Sequence, residues 1–175
     1  NNIAIAARYL QSEYGIAKVA IVDWDVHHGN GTQHTFESDD TVLFFSIHQF
    51  PHYPGTGAIG ERGIDAGQGY TVNIPVPAGA TDADFLRHFE ESLIPELDDF
   101  RPDFILLSAG FDAHRDDPLG QLMLSEYGFA MLTRILLAQA QIHCQGRLVS
   151  ILEGGYDLTA TAISVGCHLE ELLGA

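Results

Sequence analysis

The apolar run Val19-Ala20-Ile21-Val22 ends in Asp23-Trp24-Asp25-Val26-His27-His28-Gly29-Asn30-Gly31, the pattern of a buried strand that empties into a site at its carboxyl end. Two later runs do the same. Phe104-Ile105-Leu106-Leu107-Ser108 opens into Ala109-Gly110-Phe111-Asp112, and Leu148-Val149-Ser150-Ile151-Leu152 into Glu153-Gly154-Gly155-Tyr156. Strands with so little polar alternation must be covered on both faces, which predicts a parallel α/β sheet between helical layers. In such sheets ligand sites form where loops leave the carboxyl ends of strands, and all three chemically loaded loops leave such ends.

The intervening segments supply the helices. Ile3, Ala7, Leu10 and Tyr14 recur at helical spacing before the stop at Gly15. Residues 30–37 predict a short helix, and residues 41–47 and 70–74 predict two more strands. Residues 81–100 carry Phe85, Phe89, Leu93 and Leu97 on one stripe, with Thr81 and Asp84 as a start signal and Pro95 as an expected kink. Residues 125–143 place Phe129, Leu132, Leu136 and Ala140 on one face, and a last helix spans residues 158–173. The Gly- and Pro-rich stretch 48–69 is too long for an idle connection and predicts a functional loop.

The chain of 175 residues fits one domain, residues 1–175, with no internal repeat or linker. Its formal net charge of -16 argues against nucleic acid, which needs clustered Lys and Arg, and favours a cationic or neutral partner. No apolar run is long enough to cross a bilayer. Cys144 and Cys167 lie in helical sequence without a CxxC partner, so a reducing, cytoplasmic setting is expected. Asn1-Asn2-Ile3-Ala4 has no initiator Met and no signal-peptide core, and reads as a cut.

Face alternation along an extended chain puts Asp23, Asp25 and His27 on one side and Trp24, Val26 and His28 on the other. Two carboxylates and an imidazole on one face suggest a metal, against the competing reading of a structural hydrogen-bond network. If the loops after Val22 and Ser108 are neighbours, Asp25, His27 and Asp112 supply three protein ligands with one position open, the arrangement of a catalytic zinc site. Iron, cobalt or manganese suits the same donors. An Asp-x-Asp strand end also occurs in magnesium phosphotransfer sites, where a following His-His is atypical.

Asp23 is expected to orient a histidine rather than to ligate. His28, on the opposite face, is expected to be a buried, hydrogen-bonded imidazole. Tyr156, after two glycines that permit a sharp turn, could offer a hydroxyl to a developing oxyanion, although Gly-Gly-Tyr alone is more often the signature of an ordinary turn. Gly55-Thr56-Gly57-Ala58-Ile59-Gly60 matches a dinucleotide pattern without the flanking strand and helix that pattern requires. His34, His52, His88, His114, His143 and His168 share no spacing and are expected at the surface or satisfied in the core. No Gly-x-Ser-x-Gly or reactive-cysteine constellation nominates a nucleophile.

Residues 23–33, ending Asn30-Gly31-Thr32-Gln33, resemble the metal motif of the zinc-dependent histone deacetylase superfamily, in its class II and bacterial form. Ser108-Ala109-Gly110-Phe111-Asp112-Ala113-His114 with Asp116-Asp117-Pro118-Leu119-Gly120 is similar to the family's second metal segment, and Glu153-Gly154-Gly155-Tyr156 to its tyrosine loop. The three occur in the family's order. The resemblance implies an arginase-deacetylase-like fold, incomplete at the amino terminus, that hydrolyses the acetyl amide of an acetyl-lysine peptide or acetylated small amine.

It further implies one zinc ion on Asp25, His27 and Asp112, with Tyr156 polarising the carbonyl and Asp23 supporting a catalytic histidine. A structural potassium ion would be held by Asp23, Asp25, His27, Ser46 and Ile47. A second monovalent cation would use carbonyls of Phe36, Asp39, Val42 and Tyr70, and Tyr53 and Leu119 would line an acyl-lysine tunnel. The family's general acid and base is a tandem histidine pair on an upstream loop, which His27-His28 cannot replace. Residues 1–175 are therefore expected to be the carboxyl-terminal portion of a deacetylase, weakly active or inactive alone. Two other readings stay open: a non-catalytic metal or acyl-amine binding module on this scaffold, and an arginase-type manganese hydrolase.

Overall fold

Five short apolar strands form a single parallel sheet in the computed structural model, which describes residues 1–174. The strands are β1 (Val19–Asp23), β2 (Val42–Gln49), β3 (Thr71–Val76), β4 (Phe104–Ala109) and β5 (Leu148–Leu152), in the order β3-β2-β1-β4-β5. The helices are α1 (Asn2–Tyr14), α2 (Asn30–Phe36), α3 (Asp82–His88), α4 (Ile94–Phe100), α5 (Glu126–Cys144) and α6 (Leu158–Leu173). From β1 the chain moves outward through β2 to β3, then returns to place β4 and β5 on the other side of β1. The direction of winding therefore reverses between β1 and β4, and a crevice opens at their carboxyl ends.

Alternate residues of each strand feed two cores. Ala20, Val22, Leu43, Phe45, Ile105 and Leu107 face a large cluster with Trp24, Phe85, Phe89, Phe129, Leu132 and Leu136. Val19, Ile21, Val42, Phe44 and Leu106 face a smaller one with Ile3, Ala4, Ala7 and Phe36. This is the three-layer arrangement expected of strands that are apolar on both sides. Phe85, Phe89, Leu93 and Leu97 are fully buried, and each contributes on the order of 1.5–3 kcal/mol.

Caps mark the helix boundaries where the side chains supply them. Asn1, Ser125 and Asp157 accept from the backbone of α1, α5 and α6, and Thr81 with Asp84 forms a capping box on α3. The kink expected at Pro95 takes another form. Residues Phe89–Leu93 make a π-helical turn between α3 and α4, and Pro95 occupies the first turn of α4, where its missing N–H is tolerated.

Candidate active site

The parallel register brings Asp23 level with Ser46 on β2 and Ser108 on β4, so the segments that follow β1 and β4 emerge side by side. β1 ends at Asp23, and residues 25–27 form a bend rather than further strand. Asp25 and His27 are half-buried there, Trp24 and Val26 are fully buried in the core, and Asp112 arrives from the β4 loop fully buried. Asp25, His27 and Asp112 each present one donor atom, all within 4.8 Å of one another.

Backbone donors fix both carboxylates. Asp112 Oδ1 accepts from Val26 N at 2.9 Å, and Asp25 Oδ2 accepts from Gly154 N at 3.0 Å. The β5 loop is stitched to the β4 loop by Phe111 N to Gly154 O at 2.7 Å and Glu153 N to Ala109 O at 3.0 Å. Two glycines permit this closeness. A Cβ at Gly154 would stand 2.0 Å from Asp112 Oδ2, and one at Gly110 2.4 Å from Asp25 Oδ2.

His27 Nδ1 lies 3.0 Å from Asp25 Oδ1 and 3.2 Å from Asp112 Oδ2. The nearby carboxylate of Asp112, then that of Asp25, raises the imidazole's pKa to about 10, while burial raises that of Asp112 above the carboxylate range. One ring N–H cannot serve two carboxylates, and its direction favours Asp25. Asp112 Oδ2 is left buried without a hydrogen-bond donor despite the short approach. A buried carboxylate oxygen with no donor, beside a second carboxylate and an imidazole nitrogen, is a fitting donor set for a divalent cation.

Two cavities meet at the triad. One, of about 380 Å³, is lined by Asp23, Asp25, His27, Ser108 and Glu153. Asp23 is 4% exposed, and its Oδ1 accepts from Asp25 N at 3.1 Å. Burial, then the neighbouring Asp25 charge, pushes its pKa well above the ordinary value. The other cavity, of about 510 Å³, is lined by Asp25, His27, Tyr53, Leu119, Gly154 and Tyr156. The expected tunnel residues and the tyrosine thus share one wall system with two of the triad residues.

His28 turns away, as the alternation predicts. Its Nε2 donates to Gln33 Oε1 at 2.9 Å and its Nδ1 accepts from Thr56 Oγ1 at 2.8 Å, and burial lowers its pKa. Gln33 Nε2 in turn donates to Glu61 Oε2 at 2.7 Å, and Glu61 also accepts from the backbone of Gly57 and Ala58. A single, partly buried network therefore pins the 48–69 loop to α2. Ser46 and Ile47 are fully buried on β2. His48 Nε2 donates to Gly57 O at 3.0 Å, so its Nδ1 accepts the Ser46 hydroxyl proton at 2.9 Å and leaves the Ser46 oxygen's lone pairs directed elsewhere. Of the carbonyl-bearing residues expected at a second cation site, Phe36 and Val42 are buried and Asp39 and Tyr70 half-buried.

His52, expected at the surface or satisfied rather than ligating, is half-exposed and hydrogen-bonded, yet it reaches the site. Its ring stacks on His27 at 5.2 Å, and its Nε2 donates to Leu119 O at 3.1 Å. An irregular loop has no periodicity from which a facing direction can be read, and adjacency to Tyr53 was the only signal. His168 is buried between Thr133 Oγ1 at 2.7 Å and Ser150 Oγ at 2.9 Å, whereas His114 is buried with its Nε2 unpartnered.

Residues 1–172 match the histone deacetylase domain. The chain belongs to the histone deacetylase family. A probable deacetylase from Archaeoglobus fulgidus is 48% identical over 158 residues, covering 90% of this chain and 44% of that protein. The mouse polyamine deacetylase HDAC10 is 42% identical, covering 99% of this chain and 26% of its own length. The crystal structure of the HDA15 HD domain superposes with a TM-score of 0.94 at 44% identity, over 99% of this chain and 49% of that one. The family's α/β fold is therefore that of this chain, which spans less than half the length of each of these relatives.

Proposed function

We propose that this chain carries the metal-binding and oxyanion-stabilising side of a zinc-dependent deacetylase acting on acetyl-lysine or a related acetylated amine. The observation that supports the reading best is the convergence of Asp25, His27 and Asp112 within 4.8 Å at the edge of a cavity that Tyr156 also lines. Asp25, His27 and Asp112 would hold one zinc ion, which when bound supplies Lewis-acid polarisation of the acyl carbonyl and a more acidic water. Tyr156 donates its phenolic hydrogen bond to the carbonyl oxygen as negative charge develops there. Tyr53 and Leu119 flank the acyl-lysine stem and exclude water.

Asp23 accepts from a histidine across the 380 Å³ cavity and keeps that imidazole basic. His27 is committed to the metal and His28 to Gln33 and Thr56, so in this reading the proton-transferring histidine pair lies outside residues 1–175. Carbonyl oxygens of Asp23, Asp25, His27 and Ile47 with the Ser46 hydroxyl would hold potassium beneath the triad. Residues 1–175 form the carboxyl-terminal part of one catalytic domain in this proposal. Both cysteines are free thiols, which suits a reducing compartment such as the cytoplasm, and among the described residues no helix is long and apolar enough to cross a membrane. A mouse relative named a polyamine deacetylase widens the amine class beyond lysine peptides.

Metal analysis combined with acetyl-lysine peptide and acetylpolyamine hydrolysis tests the proposal. One zinc per chain, with turnover by the full-length gene product and little by residues 1–175, is the expected result. Two manganese ions per chain, or robust zinc-dependent turnover by residues 1–175 alone, contradicts it.

A further inference from the structure

Tyr156 follows two glycines, which supply no side-chain packing to hold the phenol. Gly154 is fixed by Asp25 and Phe111, and Gly155 turns the chain at φ +147°, a conformation that favours glycine, just before the tyrosine. The next restraint comes from Asp117, a carboxylate only 6% exposed on the β4 loop. Its Oδ2 accepts from Tyr156 N at 2.7 Å and from Asp157 N at 3.3 Å, while its Oδ1 accepts from Leu119 N at 2.9 Å. Leu119 O in turn accepts from His52 Nε2 at 3.1 Å.

One buried carboxylate thus ties the tyrosine loop to the Leu119 wall, and that wall to the loop bearing Tyr53. A carboxylate is suited to this position because it accepts on both oxygens at once and carries no donor to repel the converging N–H groups. Such charge-assisted bonds are also short and directional. Asp117 touches neither the triad nor the cavity where substrate would sit, so its influence passes through the groups that it holds.

We infer that Asp117 is a positioning residue that sets the phenol of Tyr156 against the carbonyl oxygen and fixes Leu119 beside it. This rests on the proposed catalytic role of Tyr156. The Asp117→Asn substitution keeps size and one acceptor but turns an N–H₂ toward either Tyr156 N or Leu119 N, and so releases one of the two walls.

The experiment is a double-mutant cycle in the full-length, zinc-loaded gene product, using an acetyl-lysine peptide. D117N is expected to lower kcat about 10- to 100-fold, the range typical of groups that orient active-site residues, with KM changed less than about threefold and zinc content unaltered. In a Y156F background the same substitution is expected to cost less than about twofold, because the hydroxyl it positions is gone. An undiminished loss in that background overturns the inference while leaving the role of Tyr156 intact. Loss of zinc in D117N also overturns it, by making Asp117 part of the general scaffold. If Y156F alone retains full kcat, the reading of Tyr156 fails and the inference falls with it. Should D117N not accumulate as folded protein, D117S, which keeps a hydroxyl acceptor in a smaller volume, carries the same cycle.

Discussion

The loops that follow β1 and β4 and the loop that follows β5 contribute to one site from unlike foundations. β1 is paired on both sides and buried throughout, and it delivers Asp25 and His27 beside the fully buried Asp112. β5 carries Tyr156 on a turn of two glycines, tied by hydrogen bonds to Asp25, Phe111 and Asp117. The side bearing Asp25, His27 and Asp112 takes its placement from the strands. The phenol side depends on a few hydrogen bonds reaching over from neighbouring loops. In the proposed function this sets preorganised metal ligands beside a phenol whose placement rests on contacts between loops.

The largest effect expected is on the central side. D112A should weaken zinc binding by more than about 100-fold, beyond the ~10- to 100-fold carried by outer partners. Isothermal titration reads this directly, and a loss under tenfold would show that the buried side is not what holds the ion. On the tyrosine side, Y156F should lower kcat about 10²- to 10³-fold with zinc content unchanged. A Y156F variant that loses zinc would erase the division between the two sides.

Acid sharpens the comparison from the scaffold. Burial, reinforced by the neighbouring His28, lowers the pKa of His48 from 6.5 to about 4. Between those values the unfolded chain binds a proton that the native imidazole refuses. Stability is therefore complete above about pH 6.5 and falls progressively toward about pH 4, by about 3 kcal/mol at most. Urea unfolding of wild type and H48Q across that window checks this, and equal slopes for the two would remove His48 as a cause. The smallest effect expected joins the two regions. G154A changes the tyrosine loop, yet its Cβ would meet Asp112 Oδ2, so zinc affinity should fall about tenfold while G166A, facing open space on α6, leaves it unaltered.

Much of this was legible in the residues. Apolar runs without alternation fixed a sheet covered on both faces, and three runs ending in Asp, His or Gly-Gly-Tyr marked its carboxyl edge. Periodicity also separated Trp24, Val26 and His28 from Asp25 and His27, although β1 ends at Asp23 and the separation is kept by a bend. Spacing alone grouped Asp23 with Asp25 and His27; only the adjacency of β1 and β4 brings Asp112 into the triad. The parts that escaped lie in irregular chain. His52, Glu61 and Asp117 act through loop geometry, where neither the two-residue nor the 3.6-residue period applies. The π turn before Pro95 escaped for a related reason, since a proline announces a lost hydrogen bond but not how the helix absorbs it.

The glycines behind the carboxylates carry a consequence for how this site can change over time. At positions 29, 110 and 154 even a methyl group would collide with Asp23, Asp25 or Asp112. At the rear of the pocket even the smallest available step therefore presses on a carboxylate. The opposite rim, where Tyr53 is 76% and Leu119 49% exposed, carries no such constraint. If the proposed function holds, a change of acyl group or amine is accommodated more readily at that rim than at the glycine-backed floor.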